Sequence, residues 1–215
     1  MIESFDVVLF DNDGVLVDTE PLFLRATQEL LATVGVAIDA EVYREISLVR
    51  GESVFELAEA KGLSAGEIRA LRARRDVRYA ELVRSGVDVL PGVRSTLQRL
   101  RGVRPLAIVT SSGRSHFEDI HRQTDLLGHF EFVLAEGDYA RHKPHPDPYL
   151  AAAARFGVAP ACCLVIEDTQ RGLAAADAAG MKCIVIPQAL SRGSDFGRAE
   201  QVLDSMEQLV GVLAL

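Results

Sequence analysis

Two carboxylates, Asp11 and Asp13, follow directly on the apolar run Val7-Val8-Leu9-Phe10, in the segment Asp11-Asn12-Asp13-Gly14-Val15-Leu16-Val17-Asp18. A charge at the end of a buried strand is costly unless it is paired or bound to a metal. Two acids at this spacing can serve as a nucleophile with its acid/base partner, as metal ligands, or as a plain acidic turn in which Gly14 supplies the bend. A calcium loop of the EF-hand type is excluded. Starting at Asp11, it needs Gly at its sixth position and Glu at its twelfth, and the chain has Leu16 and Leu22 there.

Three other places carry residues of matching chemistry. Thr110-Ser111-Ser112-Gly113 ends a second apolar run. Hydroxyls and free backbone N–H groups leading into a helix can hold an anion, or act as an ordinary helix cap. Lys143-Pro144-His145-Pro146 holds one of only three lysines in the chain, the others being Lys61 and Lys182. A lysine ammonium is a compact point charge that fits between a carboxylate and a phosphate; a solvated loop lysine is the plainer reading. His142 and His145 read as surface residues or contacts to the helical segment rather than metal ligands. Glu167-Asp168 ends the run Leu164-Val165-Ile166. Such hard oxygen donors suit magnesium, which takes one or two carboxylates and keeps several waters, although they could equally cap the helix that follows.

The elements that must position these groups are legible. Val7–Phe10, Leu106–Val109, Phe132–Leu134, Leu164–Ile166 and Cys183–Ile186 are short apolar runs with little alternation. That pattern marks parallel strands covered on both faces. Helices are predicted over Gly92–Leu100, Pro146–Phe156 and Arg171–Ala179, and the β-α-β rhythm predicts an α/β core with a Rossmann-like, doubly wound parallel sheet. All four groups would then meet at the carboxyl edge of one sheet. Between Val17 and Val87 no strand is evident. Leu22–Val34, Ser53–Ala60 and Ser64–Arg84 read as helical, with Gly35 as a stop and Ser64/Glu67 as a capping box. The expected organisation is a core of residues 1–16 and 88–215 with an all-helical cap of residues 17–87 inserted over the ligand-binding edge.

The net charge of −8 argues against a nucleic-acid binder. The run Arg69–Arg75 is expected to be a solvated helix face. Cys162, Cys163 and Cys183 offer no C-x-x-C pair and suggest a reducing, cytoplasmic setting. Neither a secretory leader nor an apolar run of the roughly 18 residues that span a membrane is expected. No G-x-G triplet or Gly-Lys pair points to a nucleotide loop.

In combination the four motifs resemble the haloacid dehalogenase superfamily, in particular the subgroup with a helical cap that includes β-phosphoglucomutase and many small-molecule phosphatases. The resemblance covers essentially the whole chain and implies roles for matching residues. Asp11 would become an aspartyl phosphate, and Asp13 would protonate the leaving oxygen and then activate water. Thr110 and Lys143, with Ser111, would hold the phosphoryl group. Asp11, Asp168 and the backbone carbonyl of Asp13 would ligate Mg²⁺, with Glu167 acting directly or through water. Asp13 favours phosphoryl transfer, because dehalogenases of the superfamily lack an acid there and P-type pumps carry Thr. Asn12 departs from the hydrophobic or aromatic residue usual at its position. Phe23 stands where the mutase pattern has a histidine, and the cap lysine of that pattern is absent, which favours a hydrolase. Arg50 is a candidate for gripping a substrate's distal phosphate, and Phe23 and Ser112 for lining the site. The expected partner is a small phosphorylated metabolite, with no nucleic acid or membrane, acted on by a monomer or weak dimer. A sugar-phosphate mutase and a non-catalytic binding module are the alternatives.

Overall fold

In the computed structural model, which describes residues 5–213, the apolar runs form one sheet of six parallel strands. They are β1 (Val7–Phe10), β2 (Leu106–Gly113), β3 (Phe132–Glu136), β4 (Cys163–Glu167), β5 (Lys182–Val185) and β6 (Gln201–Val202), in the order β3-β2-β1-β4-β5-β6. The predicted leader-free start and the two ends of the expected core, residues 1–4 and 214–215, lie outside the described residues. β6 was not anticipated: two residues at a sheet edge, one of them exposed, leave no periodic signature. β2 runs on past Val109 through Thr110 to Gly113, with a register irregularity against β3.

The strands lack alternation because both faces are covered. Val8, Phe10, Leu106, Ile108, Leu164 and Ile166 pack on one side with Val93, Leu97 and Leu100 of helix α4 (Val93–Leu100) and with Met206 and Leu209 of α8 (Met206–Val212). Val7, Leu9, Ala107, Val109 and Val165 pack on the other side. Their partners are Tyr149 and Ala152 of α6 (Asp147–Phe156) and Leu173 and Ala176 of α7 (Gln170–Ala178). α5 (Arg114–His121) follows β2. The chain leaves β1 toward β2 and β3 and then returns to β4 on the other flank. β1 and β4 therefore flank a topological switch point, and their carboxyl ends open a crevice.

Between β1 and α4 the described elements are almost entirely helical: α1 (Glu20–Ala32), α2 (Ala40–Tyr43) continuing as a π-helical segment over Arg44–Val49, a 3₁₀ stretch over Val54–Lys61, and α3 (Ala65–Arg84). Ser64 and Glu67 form both bonds of the capping box at the start of α3. Asp39 caps α2 by accepting from Val42 N at 2.8 Å. The segment predicted as a helix after Ser53 is 3₁₀, ended by Gly62 in the left-handed region. Leu24, Leu31, Tyr43, Leu48, Phe55, Ile68 and Leu71 form an apolar cluster within this segment, with Leu190 packed against it from the sheet domain. Val17, Tyr79, Leu82 and Val83 join Ile120 of α5 in a second cluster, which docks the helices against the sheet domain. Among the described residues no helix is long and apolar enough to cross a membrane.

Candidate active site

β1 delivers Asp11 to the carboxyl edge of the sheet, where its backbone N–H donates to Ile166 O of β4 at 2.9 Å. Lys143, in the loop before α6, is 4% exposed and reaches the same point from below. All three of its N–H donors are used: Asp11 Oδ1 at 2.7 Å, Val109 O at 2.9 Å and Glu167 Oε1 at 2.7 Å. The ring of Tyr149 lies 4.8 Å from the ammonium. Burial works against the charge on Lys143, but the Asp11 and Glu167 carboxylates overcome it and hold the ammonium above its ordinary range. Burial likewise pushes Asp11 up to about 7; Lys143 pulls it down, while Glu167 and Asp13 push it further up.

Glu167 is wholly enclosed, and both its oxygens are engaged. Oε1 also accepts from Tyr149 OH at 2.7 Å, and Oε2 accepts from Asp168 N at 3.1 Å, Thr169 N at 3.3 Å and Thr169 Oγ1 at 3.1 Å. Burial raises its pKa, yet Lys143 and these donors bring it below the usual carboxylate value. A Cβ at Gly172 would fall 1.9 Å from the Glu167 carboxyl, so α7 can begin here only with glycine. Asp168 is the contrasting case. It is 1% exposed, its Oδ1 has no hydrogen-bond partner among the described residues, and burial together with Glu167 and Asp11 drives its pKa well up. Gly14, at φ +78°, leaves the space that its Oδ2 occupies. Asp11, Glu167 and Asp168 each offer a carboxylate oxygen within 4.8 Å of one another. An orphaned buried oxygen in an all-oxygen donor set fits a hard divalent cation. Of the three, Asp168 and the second oxygen of Asp11 have donor capacity to give.

Asp13 sits beside this cluster, ringed by hydroxyls. Thr19 Oγ1 donates to its Oδ1, while Thr110 Oγ1 at 3.2 Å and Ser112 Oγ at 2.7 Å reach Oδ2. Thr110 and Ser112 are thus brought to the site, and Ser111 lines the cavity. Tyr139 OH anchors the loop by donating to Thr110 O at 2.7 Å.

The sequence of this chain matches the family model of the haloacid dehalogenase-like hydrolases over residues 5–180. The chain belongs to that family. It is 34% identical over 208 residues to the protein CbbY of Rhodobacter capsulatus, covering 90% of each chain. It is 31% identical over 187 residues to the fructose-1-phosphate phosphatase YqaB of Escherichia coli, covering 86% of this chain and 97% of the relative. Its fold resembles a variant of CbbY from Rhodobacter sphaeroides solved in complex with xylulose-(1,5)-bisphosphate, with TM-score 0.81, 29% identity and coverage of 95% and 96%.

The hydrolase has a cavity of about 680 Å³ between the strand ends and the helices. Phe23 lines it, as expected, with the Arg75 guanidinium 4.1 Å above its ring. Arg50 is not brought there. It lies outside the lining, half exposed, and pairs with Glu52 at 3.3 Å and Glu45 at 3.8 Å. Besides Lys143, the cations on the wall are Arg72, Arg75 and Arg171. The expectation of a wholly solvated Arg69–Arg75 face therefore needs correction. Ile68, Leu71, Arg72, Arg75 and Tyr79 share one side of α3 at three- and four-residue spacing, while Arg69 and Arg74 stay exposed. Glu20 was also missed. It lines the cavity, accepts from Tyr43 OH at 2.8 Å, and is pushed up to about 7 by burial and by Asp13. Its only sequence signal was its place just after the first motif. His142 and His145 are exposed, as anticipated.

Proposed function

We propose that this hydrolase is a Mg²⁺-dependent phosphatase that cleaves a sugar-phosphate type of monoester through an aspartyl phosphate on Asp11. The observation that carries this reading is the buried cluster in which Lys143 is shared by Asp11 and Glu167, beside the unpartnered Asp168 oxygen. The names of the relatives, one of them a fructose-1-phosphate phosphatase, support the substrate class.

A carboxylate repels a phosphate dianion, so attack by Asp11 requires nearby positive charge. Lys143 provides one such charge and orients Asp11 by holding its Oδ1. Asp168, Asp11 and the backbone carbonyl of Asp13 would hold Mg²⁺, which when bound supplies the remaining charge cancellation. Glu167, with its oxygens engaged, acts by fixing Lys143. Asp13, held by three hydroxyls, gives a proton to the leaving oxygen and then takes one from the water that hydrolyses the acyl phosphate. A positioned acid/base of this kind contributes about 10²–10⁴-fold, and the covalent step divides one difficult displacement into two. The helical wall carrying Phe23, Arg75 and Glu20 selects the organic part of the ester. Phe23 has no proton to exchange, which favours transfer to water over a mutase cycle.

The test is phosphate release from a panel of sugar phosphates, ketose bisphosphates and p-nitrophenyl phosphate, with Mg²⁺ or EDTA. Magnesium-dependent release is expected, and Asp11→Asn should lower it by about 10⁴-fold while melting like the wild type. Normal turnover by that variant would overturn the assignment, and conversion of β-glucose 1-phosphate to glucose 6-phosphate would mark a mutase.

A further inference from the structure

Asn12, between the two acids, is wholly buried. Asp11 and Asp13 line the cavity, whereas the Asn12 side chain turns the other way and meets the end of α5. Its Oδ1 lies 2.6 Å from His121 Nε2, and His121 Nδ1 lies 2.7 Å from Thr124 Oγ1. All three side chains are at least 95% enclosed, with the Phe117 ring 4.5 Å from the imidazole. With a neutral ring facing Asn12 Oδ1, Nε2–H donates to that oxygen and Nδ1 accepts from Thr124 O–H, which also lies 3.5 Å from His121 O. The backbone carbonyl of Asn12 meanwhile accepts from Val15, Leu16 and Val17 N–H at 3.3, 2.8 and 3.2 Å. Residue 12 is thus the node of the turn that presents both acids.

Stability alone does not account for this polar trio. It sits among apolar residues, and Asn12 Nδ2 has no hydrogen-bond partner among the described residues. A buried unpaired donor costs about 1–3 kcal/mol, a cost that a well-packed apolar trio avoids. A satisfied polar contact, unlike an apolar one, selects a single orientation of the groups it joins. α5 is also the helix that springs from Thr110-Ser111-Ser112-Gly113, so its first residues adjoin the hydroxyls on Asp13 while its last residue grips Asn12.

We propose that Asn12, His121 and Thr124 form a positioning strut that locks the Asp11–Asp13 turn to α5, with His121 acting through Asn12 and not on the substrate. Its kinetic readout rests on the phosphatase reading; its structural readout does not. A misplacement of about 1 Å in a reacting group can lower turnover about 10²-fold. Burial keeps the imidazole uncharged at neutral pH, consistent with the single proton on Nε2.

The experiment compares His121→Phe, His121→Gln and Asn12→Leu with the wild type, using p-nitrophenyl phosphate and Mg²⁺, thermal melting, and the NMR amide shifts of Val15, Leu16 and Val17. His121→Phe and Asn12→Leu should lower kcat up to about 10²-fold with KM unchanged, and should displace the three amide signals. His121→Gln, which carries a nitrogen donor near the Nε2 position, should restore most of kcat and the amide shifts even if it melts as early as the Phe variant. Equal losses of kcat in the Phe and Gln variants, tracking melting alone, would overturn the strut, as would unchanged amide signals in both His121→Phe and Asn12→Leu. If wild-type protein releases no phosphate, the phosphatase reading fails, and the amide shifts still decide this proposal.

Discussion

On the strand-end side of the cavity, Lys143 uses every donor on Asp11, Val109 and Glu167, and Glu167 in turn is held by Tyr149 and Thr169. On the helical side, Arg75 stacks on Phe23 and pairs with its own neighbour Asp76 at 2.7 Å, while Arg72 reaches Glu56 at 3.2 Å. The first group is sealed and interlocked across β1, β2, β4 and the loop before α6. The second is half-buried and joined by local pairs. A sealed network gives one geometry, which bond-making needs. A looser wall of guanidinium groups can adapt to the shape of the ester while leaving the reacting atoms in place.

The contrast makes the substitutions unequal. Lys143→Met leaves Asp11 and Glu167 facing each other without a counter-charge. Breaking a buried pair in this way costs about 3–5 kcal/mol, so urea unfolding should show that loss together with abolished turnover. A cost near that of a surface substitution would break the claim of an interlocked site.

The next effect is read through pH. Burial, only partly opposed by Asp13, pushes His121 down to about 4 in the native state, against about 6.5 in an unfolded chain. The unfolded chain therefore takes up its proton first as pH falls. The stability advantage of the wild type over His121→Gln should be complete above pH about 6.5 and shrink by about 3 kcal/mol on the way down to pH 4. Parallel stability curves for the two proteins would show that His121 is not sealed as described.

On the helical wall, Arg75→Ala should raise KM about tenfold, equivalent to about 1.4 kcal/mol, with kcat little changed, when assayed with the best ester of the panel. A fall in kcat alone would place Arg75 with the chemistry and dissolve the distinction between the two walls. Arg50→Ala should change neither KM nor melting temperature, because its ion pairs with Glu45 and Glu52 are exposed and outside the cavity.

How much of this was legible differs along the same line. Asp11 and the Glu167-Asp168 pair could be read because each follows an unbroken apolar run, which a strand buried on both faces leaves in the sequence, and Lys143 because it is one of only three lysines and stands just before two prolines. The division of labour between Glu167 and Asp168 could not. It depends on Tyr149, Thr169 and Gly172 converging on one carboxyl and leaving its neighbour bare. Arg75 was hidden in a basic run, since charge alone does not say which side of α3 meets the cavity. β6 was too short and too exposed to leave a pattern.

Asn12 shows where the two kinds of information part. Local order along the chain determined the parallel sheet, the helical insertion and the placement of reactive motifs at three strand ends and in the loop after a fourth, because burial on two faces and helix capping both act between near neighbours in sequence. The family resemblance marked residue 12 as unusual. What that amide does was decided only by folding, which brings to it a histidine 109 residues away. A hydrogen bond across that separation depends on how α5 packs beneath β1, and the residue types leave that distance unstated.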